Sequence, residues 1–229
     1  MYKRQAWLYP TPKVFSDQEA AAVALTGITA HLGLFRTGGL KAGETVYVPG
    51  GTGGVGSMVI QMAKAAGARV ATSAGSEEKL ALCRSLGADM AFNYKSDDIP
   101  AALREFSPEG IDVWYETQRD PNLAVSIPLL RKRGRMILIA GRVATPALPL
   151  GSFYPRDCSL LGFAMFNATA DEQRRCAEDI VRWATEGKLR AHVGKVFQLA
   201  EAAEAERFLE QNSVGGAGTL SGKVVIAIE

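Results

Sequence analysis

The chain of 229 residues has few of the residues that hold metals or form disulfides: two histidines and three cysteines. Cys83, Cys158 and Cys176 are far apart and form no C-x-x-C pair, so the clustered spacing of a structural zinc site is missing. An odd number of isolated cysteines is typical of reduced thiols, and we therefore expect a cytoplasmic protein.

The chain also lacks an excess of charge and a long apolar run. Its 26 Lys and Arg nearly balance 24 Asp and Glu, for a net charge of +2, which favours neither nucleic acid nor an anionic membrane as a partner. No apolar run approaches the roughly 18 residues of a transmembrane helix, and no signal-peptide pattern is present. The length suits one large domain or one and a half ordinary ones.

A glycine-rich stretch follows the first buried strand of the sequence. Thr45 to Val48 is β-branched and aromatic, which is typical of such a strand, and the six residues after Gly50 fit G-x-G-x-x-G. These are Gly51, Thr52, Gly53, Gly54, Val55 and Gly56. Apolar residues at helical spacing come next, so the order is strand, glycine loop and helix, as in dinucleotide-binding proteins.

Each glycine of the motif has a predicted purpose. Gly51 permits the tight turn, Gly53 lets the backbone approach a pyrophosphate, and Gly56 lets helix and strand pack closely. The free N–H groups at the helix start would face the anion. The alternative interpretation is a glycine turn without a ligand.

Short apolar runs alternate with helical segments along most of the chain. Strands are predicted at 45–48, 69–73, 90–93, 111–115, 135–140 and 159–163, and helices at 77–86, 98–106, 122–130 and 171–186. This alternation predicts an α/β fold with a Rossmann-type, doubly wound parallel sheet. Before this alternation, Ser16 to Glu19 form a capping box at the start of a helix. We expect that helix to be interrupted at Thr26 to Thr29, and a second helix to run from Thr29 to Thr37.

The sequence resembles the medium-chain dehydrogenase/reductase superfamily, and in particular its zinc-independent quinone oxidoreductases, the zeta-crystallin-like branch. The resemblance covers nearly everything from Trp7 onward. Beside the glycine loop it is carried by Ala20 to His31, Leu40 to Val46, Gly75 to Lys79, Leu86 to Asp89, Phe92 to Tyr94 and Gly222 to Val225.

In that family the nucleotide-binding domain is inserted into a GroES-like substrate domain, which implies three segments here. Residues 1–27 are expected to be a linker and a remnant of the substrate domain, 28–185 the NAD(P)-binding domain, and 186–229 the return to the substrate domain. Most of the substrate domain is expected to lie upstream. Met1 to Gln5 resemble a translated sequencing adapter and are left out of fold reasoning, with a genuine basic N-terminus as the alternative.

The last segment contains two further strands, Lys195 to Leu199 and Lys223 to Ile228, around a helix at 201–211. The resemblance places both strands outside the main sheet, beside the substrate domain. We therefore expect these strands to have partly uncovered side chains, namely Val196, Phe197, Val224, Val225 and Ile226. Because most of the substrate domain is expected to lie upstream, we also expect hydride transfer to be too slow to detect in the chain alone.

The resemblance also indicates the cofactor. Many NAD-dependent enzymes have an acid at the end of the second strand, but Ser73 to Ser76 contain none. The 2′-phosphate contacts of the family map onto Lys79 and Tyr94, with Ser76 as a weaker candidate. NADPH is therefore expected, although Lys79 and Tyr94 could instead be ordinary solvated surface residues.

The same mapping gives candidates at the nicotinamide end of the cofactor. They are Thr29, Gly141, Phe163 and Lys223. Three of them have a structural alternative: a helix-start hydroxyl bonded to backbone for Thr29, core packing for Phe163, and a charged strand entry for Lys223.

The resemblance implies no metal, because Leu25 stands where zinc-dependent relatives have a cysteine ligand. His31 and His192 have no partner pattern and are predicted to be structural. The chain departs from the family at Glu116 to Asp120 and at Arg142, to which no role is assigned.

The implied function is reduction of a quinone or an activated enone by NADPH. The alternatives are an enoyl-thioester reductase of the same superfamily and a nonenzymatic, crystallin-like NADPH-binding protein. The family pairs subunits through the strand at Ser159 to Phe163, so the complete protein is expected to be a homodimer.

Overall fold

The computed structural model describes residues 5–228; Met1 to Arg4, which begin the adapter-like segment, lie outside the described residues. The strands are β1 (Thr45–Pro49), β2 (Arg69–Ala74), β3 (Met90–Asn93), β4 (Ile111–Glu116), β5 (Leu130–Leu138), β6 (Ser159–Gly162), β7 (Val193–Gln198) and β8 (Lys223–Ala227). The α-helices are α1 (Asp17–His31), α2 (Gly54–Ala65), α3 (Glu77–Ser85), α4 (Ile99–Phe106), α5 (Leu123–Ser126), α6 (Leu150–Phe153), α7 (Ala170–Thr185) and α8 (Ala202–Ser213).

Six strands form one sheet in the order β3-β2-β1-β4-β5-β6, and every neighbouring pair is parallel. This confirms the predicted doubly wound, Rossmann-type fold. The chain order reverses between β1 and β4, and in open parallel sheets this reversal creates a crevice at the carboxyl ends of the strands.

The sheet is buried on both faces. Val46 and Val48 of β1 pack into one apolar cluster with Ile60 of α2, whereas Tyr47 packs into a second cluster. There its ring meets the edge of Trp114 at a centroid distance of 4.5 Å. Because alternate side chains of a strand point to opposite faces, the continuous apolar runs of the sequence correspond to strands covered by helices on each side.

The helix near the N-terminus begins as predicted and is not interrupted. Ser16 caps α1 with the reciprocal hydrogen bonds of a capping box to Glu19. The predicted break at Thr26 to Thr29 is wrong, because α1 continues to His31 and then into a π-helix, Leu32–Thr37. Gly27 instead provides room for α7: a β-carbon there would lie 3.0 Å from Cδ1 of Ile180.

The predicted helix at 122–130 is also largely wrong. Only Leu123–Ser126 is α-helical, a 3₁₀ turn follows at Ile127–Leu129, and Leu130 already begins β5. Leu130 pairs with Ile111, and after a register shift Arg135 pairs with Val113. Strand pairing with β4 therefore decides where this segment changes from helix to strand.

The last two strands lie outside the six-stranded sheet, as predicted, and form a second parallel sheet with each other. Phe197 and Val225 are buried, so the expectation that they would be uncovered is wrong; Val224 and Ile226 are half-buried and Val196 is 37% exposed. The ring of Phe197 lies 5.9 Å from that of Phe208 in α8. The crossover helix thus covers the pair, which a parallel connection requires.

None of the helices within residues 5–228 is both long enough and apolar enough to cross a membrane.

Candidate functional site

The glycine loop lies at the carboxyl end of β1, between that strand and α2. Gly51 lies in the turn that the Gly53 N to Gly50 O bond closes, and the positive φ of that turn belongs to Gly50 (φ 71°). Gly51 is needed for packing, because a β-carbon there would overlap Oγ1 of Thr72. Gly56 packs closely as predicted, since its β-carbon would overlap the carbonyl oxygen of Gly50.

The start of α2 leaves three backbone donors outside the helical hydrogen-bond ladder. Gly53 is the N-cap of the helix, and its carbonyl accepts the first helical hydrogen bond from Ser57 N at 3.0 Å. The amides of Gly54, Val55 and Gly56 therefore precede the first bond of the ladder. With the exposed Gly53 beside them, they form a surface suited to an anion.

The loop opens into a cleft of about 490 Å³. Seven of the residues singled out by the sequence line it, and they come from four separate parts of the chain. They are Thr52, Gly53, Gly54, Val55, Lys79, Tyr94 and Lys223. The opposite wall is formed by residues between Leu209 and Val224, which sequence reasoning missed except for Lys223.

Tyr94 and Lys79 lie beside the carboxyl end of β2, where Ser73 to Ser76 contain no acidic residue. Tyr94 is 56% exposed, and its hydroxyl covers Gly75, where a β-carbon would lie 2.5 Å from the phenolic oxygen. The Lys79 ammonium is bonded to the opposite wall: Nζ donates to the carbonyls of Gly218 and Leu220 at 2.7 and 2.8 Å. Burial and the nearby Lys95 lower the pKa of Lys79 from its ordinary value.

Lys223 and Ser76 have structural contacts of their own. The stem of Lys223 lies over the start of α2, since a β-carbon on Gly54 would be 2.8 Å from Cδ of the lysine. Ser76 is the N-cap of α3, and its hydroxyl accepts a hydrogen bond from Lys79 N at 3.4 Å. The Ser76 hydroxyl is therefore engaged in fixing the helix that carries Lys79.

The residues expected near the nicotinamide, apart from Lys223, lie outside the lining of this cleft. Thr29 is inside α1, not at a helix start, and its hydroxyl donates to Leu25 O at 2.8 Å. Phe163 is half-buried beneath the guanidinium of Arg36, which lies 5.5 Å from its ring centroid. Gly141 (φ 82°) is so close to Arg119 that a β-carbon would lie 2.5 Å from the arginine carbonyl oxygen.

The described part of the chain does not supply the side chains that a zinc site needs. Leu25 lines the cleft with an exposed, apolar side chain. Among residues 5–228, no three His, Cys, Asp or Glu side chains come together as a metal site. His31 is instead bonded to Asp179 at 2.8 Å, and burial lowers the pKa of its ring.

Comparison with known proteins identifies the family. A family model described as zinc-binding dehydrogenase matches residues 54–185, more than half of the chain. The chain belongs to the medium-chain dehydrogenase/reductase superfamily. Its homologues include quinone oxidoreductases and prostaglandin reductases, in agreement with the predicted zinc-independent branch.

Three superfamily members illustrate the likeness. Prostaglandin reductase 1 of Bos taurus is 35% identical over 74% of this chain and 54% of its own length. The quinone oxidoreductase of Thermus thermophilus, solved also with NADPH, is 32% identical over 96% of this chain and 69% of its own, with a TM-score of 0.82. CurK enoyl reductase is 27% identical over 98% of this chain and 66% of its own length, with a TM-score of 0.81. The chain thus spans about half the length of the curated relative named here.

Proposed function

We propose that this chain is the cofactor-binding part of an NADPH-dependent oxidoreductase that transfers hydride to a quinone or an activated enone. The proposal rests on one observation, that the predicted phosphate-binding residues line a single cleft. Lys79 and Tyr94, at the acid-free end of β2, line it together with the glycine loop. A cation beside a strand end that has no acid suits a 2′-phosphate, and amides outside the helical ladder at a helix start suit a pyrophosphate.

The cofactor would supply hydride from its nicotinamide C4. In the proposed arrangement, the amides of Gly54 to Gly56 bind the pyrophosphate, and Lys223 adds a charge above the first turn of α2. Thr29, Gly141 and Phe163 would lie towards the nicotinamide. The proton that completes the reduction is proposed to come from water.

The relatives support an oxidoreductase. The prostaglandin reductase and the NADPH-binding quinone oxidoreductase are both oxidoreductases by name. The likeness to CurK enoyl reductase favours one second candidate, reduction of an enoyl thioester. A nonenzymatic NADPH-binding protein remains the alternative from another class.

Calorimetry tests the cofactor. We expect NADPH to bind more tightly than NADH, because only NADPH has a phosphate for Lys79. Lys79→Met keeps the stem, removes the charge, and should weaken NADPH binding about 10- to 150-fold, the cost of one charge-assisted hydrogen bond. Equal affinities of the unmutated protein for both cofactors would refute the assignment.

Isotope transfer tests the reaction. The full-length protein is supplied with NADPH deuterated at nicotinamide C4 and, separately, with a quinone, an enone and an enoyl thioester. We expect oxidation of NADPH with the quinone or the enone, and deuterium on a carbon of the reduced enone. Turnover of the enoyl thioester alone would favour the second candidate, and turnover of none would favour the nonenzymatic one.

A further inference from the structure

The loop between α8 and β8, residues 214–222, lies across the cleft from the glycine loop, and we name it the strap. Two attachments hold it there. Gly222 N donates to Thr52 O in the glycine loop at 2.7 Å, and the Lys79 ammonium binds the carbonyls of Gly218 and Leu220. The lysine proposed for the 2′-phosphate is therefore also the cation that closes the strap.

The strap is rich in glycine and is anchored at its base by one side chain. Gly216 and Gly218 have positive φ values of 70° and 62°, and no atom lies within 4 Å of a β-carbon built on Gly216. At the base, Oδ1 of Asn212 accepts hydrogen bonds from Thr219 N, Thr219 Oγ1 and Leu220 N at 2.7–2.9 Å. Such a loop can turn at its glycines, and the three bonds to Asn212, which hold the closed strap at its base, break when it opens.

We propose that Lys79 is a latch. In the free protein its ammonium holds the strap closed over the cleft, and the 2′-phosphate of the cofactor opens the strap by taking the ammonium from the two carbonyls. The inference rests on the proposed function, since it requires a 2′-phosphate at Lys79. A phosphate is a charged acceptor and binds an ammonium more strongly than neutral carbonyls do, so the exchange is favourable.

The closed strap has costs that opening relieves. Nε2 of His192 and Oγ of Ser221 are buried without a hydrogen-bond partner among the described residues, and Gly222 packs directly against the His192 ring. Burial beneath the strap also disfavours the charged form of Lys79. A cofactor without a 2′-phosphate has no charge to offer at this point, so it leaves the latch in place.

Hydrogen exchange on the cofactor-free chain tests the latch first. The reporters are the amides of Ala217, Thr219, Leu220 and Gly222, all of which donate hydrogen bonds. Lys79→Met should speed their exchange about tenfold or more, by removing two charge-assisted bonds. Lys95→Met is the matched control, because Lys95 is exposed and influences Lys79 only through its charge. Equal exchange in all three proteins would overturn the latch.

Small ligands test release. Adenosine 2′,5′-bisphosphate should speed exchange in the strap of the unmutated chain, whereas 5′-AMP, which lacks the 2′-phosphate, should not. Binding of the bisphosphate with unchanged strap exchange would overturn the latch alone. No binding of the bisphosphate would overturn the latch and the proposed cofactor together.

Loosening the base of the strap gives the third readout. Asn212→Ala should strengthen bisphosphate binding about 2- to 10-fold, since part of the opening cost is removed, and leave 5′-AMP binding unchanged. Thr219→Val is a milder variant that removes only the hydroxyl bond and should act in the same direction. Asn167→Ala, on the exposed surface, is the control. Weaker bisphosphate binding in both strap variants would show that the strap is a fixed wall, not a latch.

Discussion

Glu116 is a buried acid at the carboxyl end of β4, only 2% exposed. Its carboxylate accepts hydrogen bonds from Nε1 of Trp114 at 3.0 Å and from Gln118 N at 2.7 Å. Burial nevertheless raises the pKa of Glu116 above its ordinary value. The two accepted bonds fix the turn that leaves the central strand.

The raised pKa of Glu116 predicts a pH dependence of stability. The unfolded chain loses this proton near pH ~4.3, whereas the folded protein holds it to a higher pH. The stability from this group is therefore complete below about pH 4.3 and is lost as the pH rises towards the folded pKa. Measured by urea unfolding, the free energy of unfolding should show this decline in the unmutated protein and not in Glu116→Gln. Exposed Glu105→Gln is the control, and an unchanged pH profile in Glu116→Gln would contradict the prediction.

At the scale of the element, α1 shows how a glycine can be necessary inside a helix. Gly27 disfavours helix by propensity, and the sequence around it suggested a break. The hydroxyls of Thr26 and Thr29 donate back to Ala22 O and Leu25 O, so these residues are satisfied within the helix. The glycine permits α7 to approach, and the buried contact outweighs the local preference.

Filling this contact should separate the two helices. Gly27→Leu places four carbons where Ile180 and Val23 already approach a β-carbon position to 3.0 Å, and we expect a loss of about 1–3 kcal/mol in the free energy of unfolding. Ala21→Leu adds a comparable side chain on the exposed face of α1 and should cost little. Chemical denaturation of both variants gives the answer, and equal stabilities would exclude the packing role.

At the scale of the molecule, β6 is the last strand of the six-stranded sheet and pairs on one side, with β5. Its other edge offers backbone donors and acceptors to a second copy. Large apolar side chains flank it in the sequence, including Tyr154 at 71% and Phe166 at 77% exposure. A homodimer through this edge stays a prediction.

Light scattering after size exclusion can measure the assembly. We expect the full-length protein to have the mass of two chains at micromolar concentration. Gly162→Lys should give the monomer, because it adds a charge to the edge at a position where a β-carbon meets only Leu138 O at 4.0 Å. Gly151→Lys, where no atom lies within 4 Å, should remain dimeric. A monomeric unmutated protein would rule out the dimer.

Local sequence determined much of this protein. The short apolar runs and the strand, glycine loop and helix in succession depend on neighbouring residues, and they suffice for the parallel sheet and for the position of the loop. The family resemblance, not local sequence, predicts that Lys79 and Tyr94 lie together. They follow β2 and β3, which are adjacent strands of the parallel sheet, so both lie at the same edge.

Only the tertiary structure decided the rest. Pairing with β4 converted the end of a predicted helix into β5, packing against α7 kept α1 continuous through Gly27, and the second sheet with its crossover helix buried Phe197 and Val225. The strap has no periodicity to reveal its place, and its contact with Lys79 joins residues about 140 positions apart. Contacts of this range depend on how whole elements pack, because the energy of a buried interface exceeds the small preferences of each residue for helix, strand or turn.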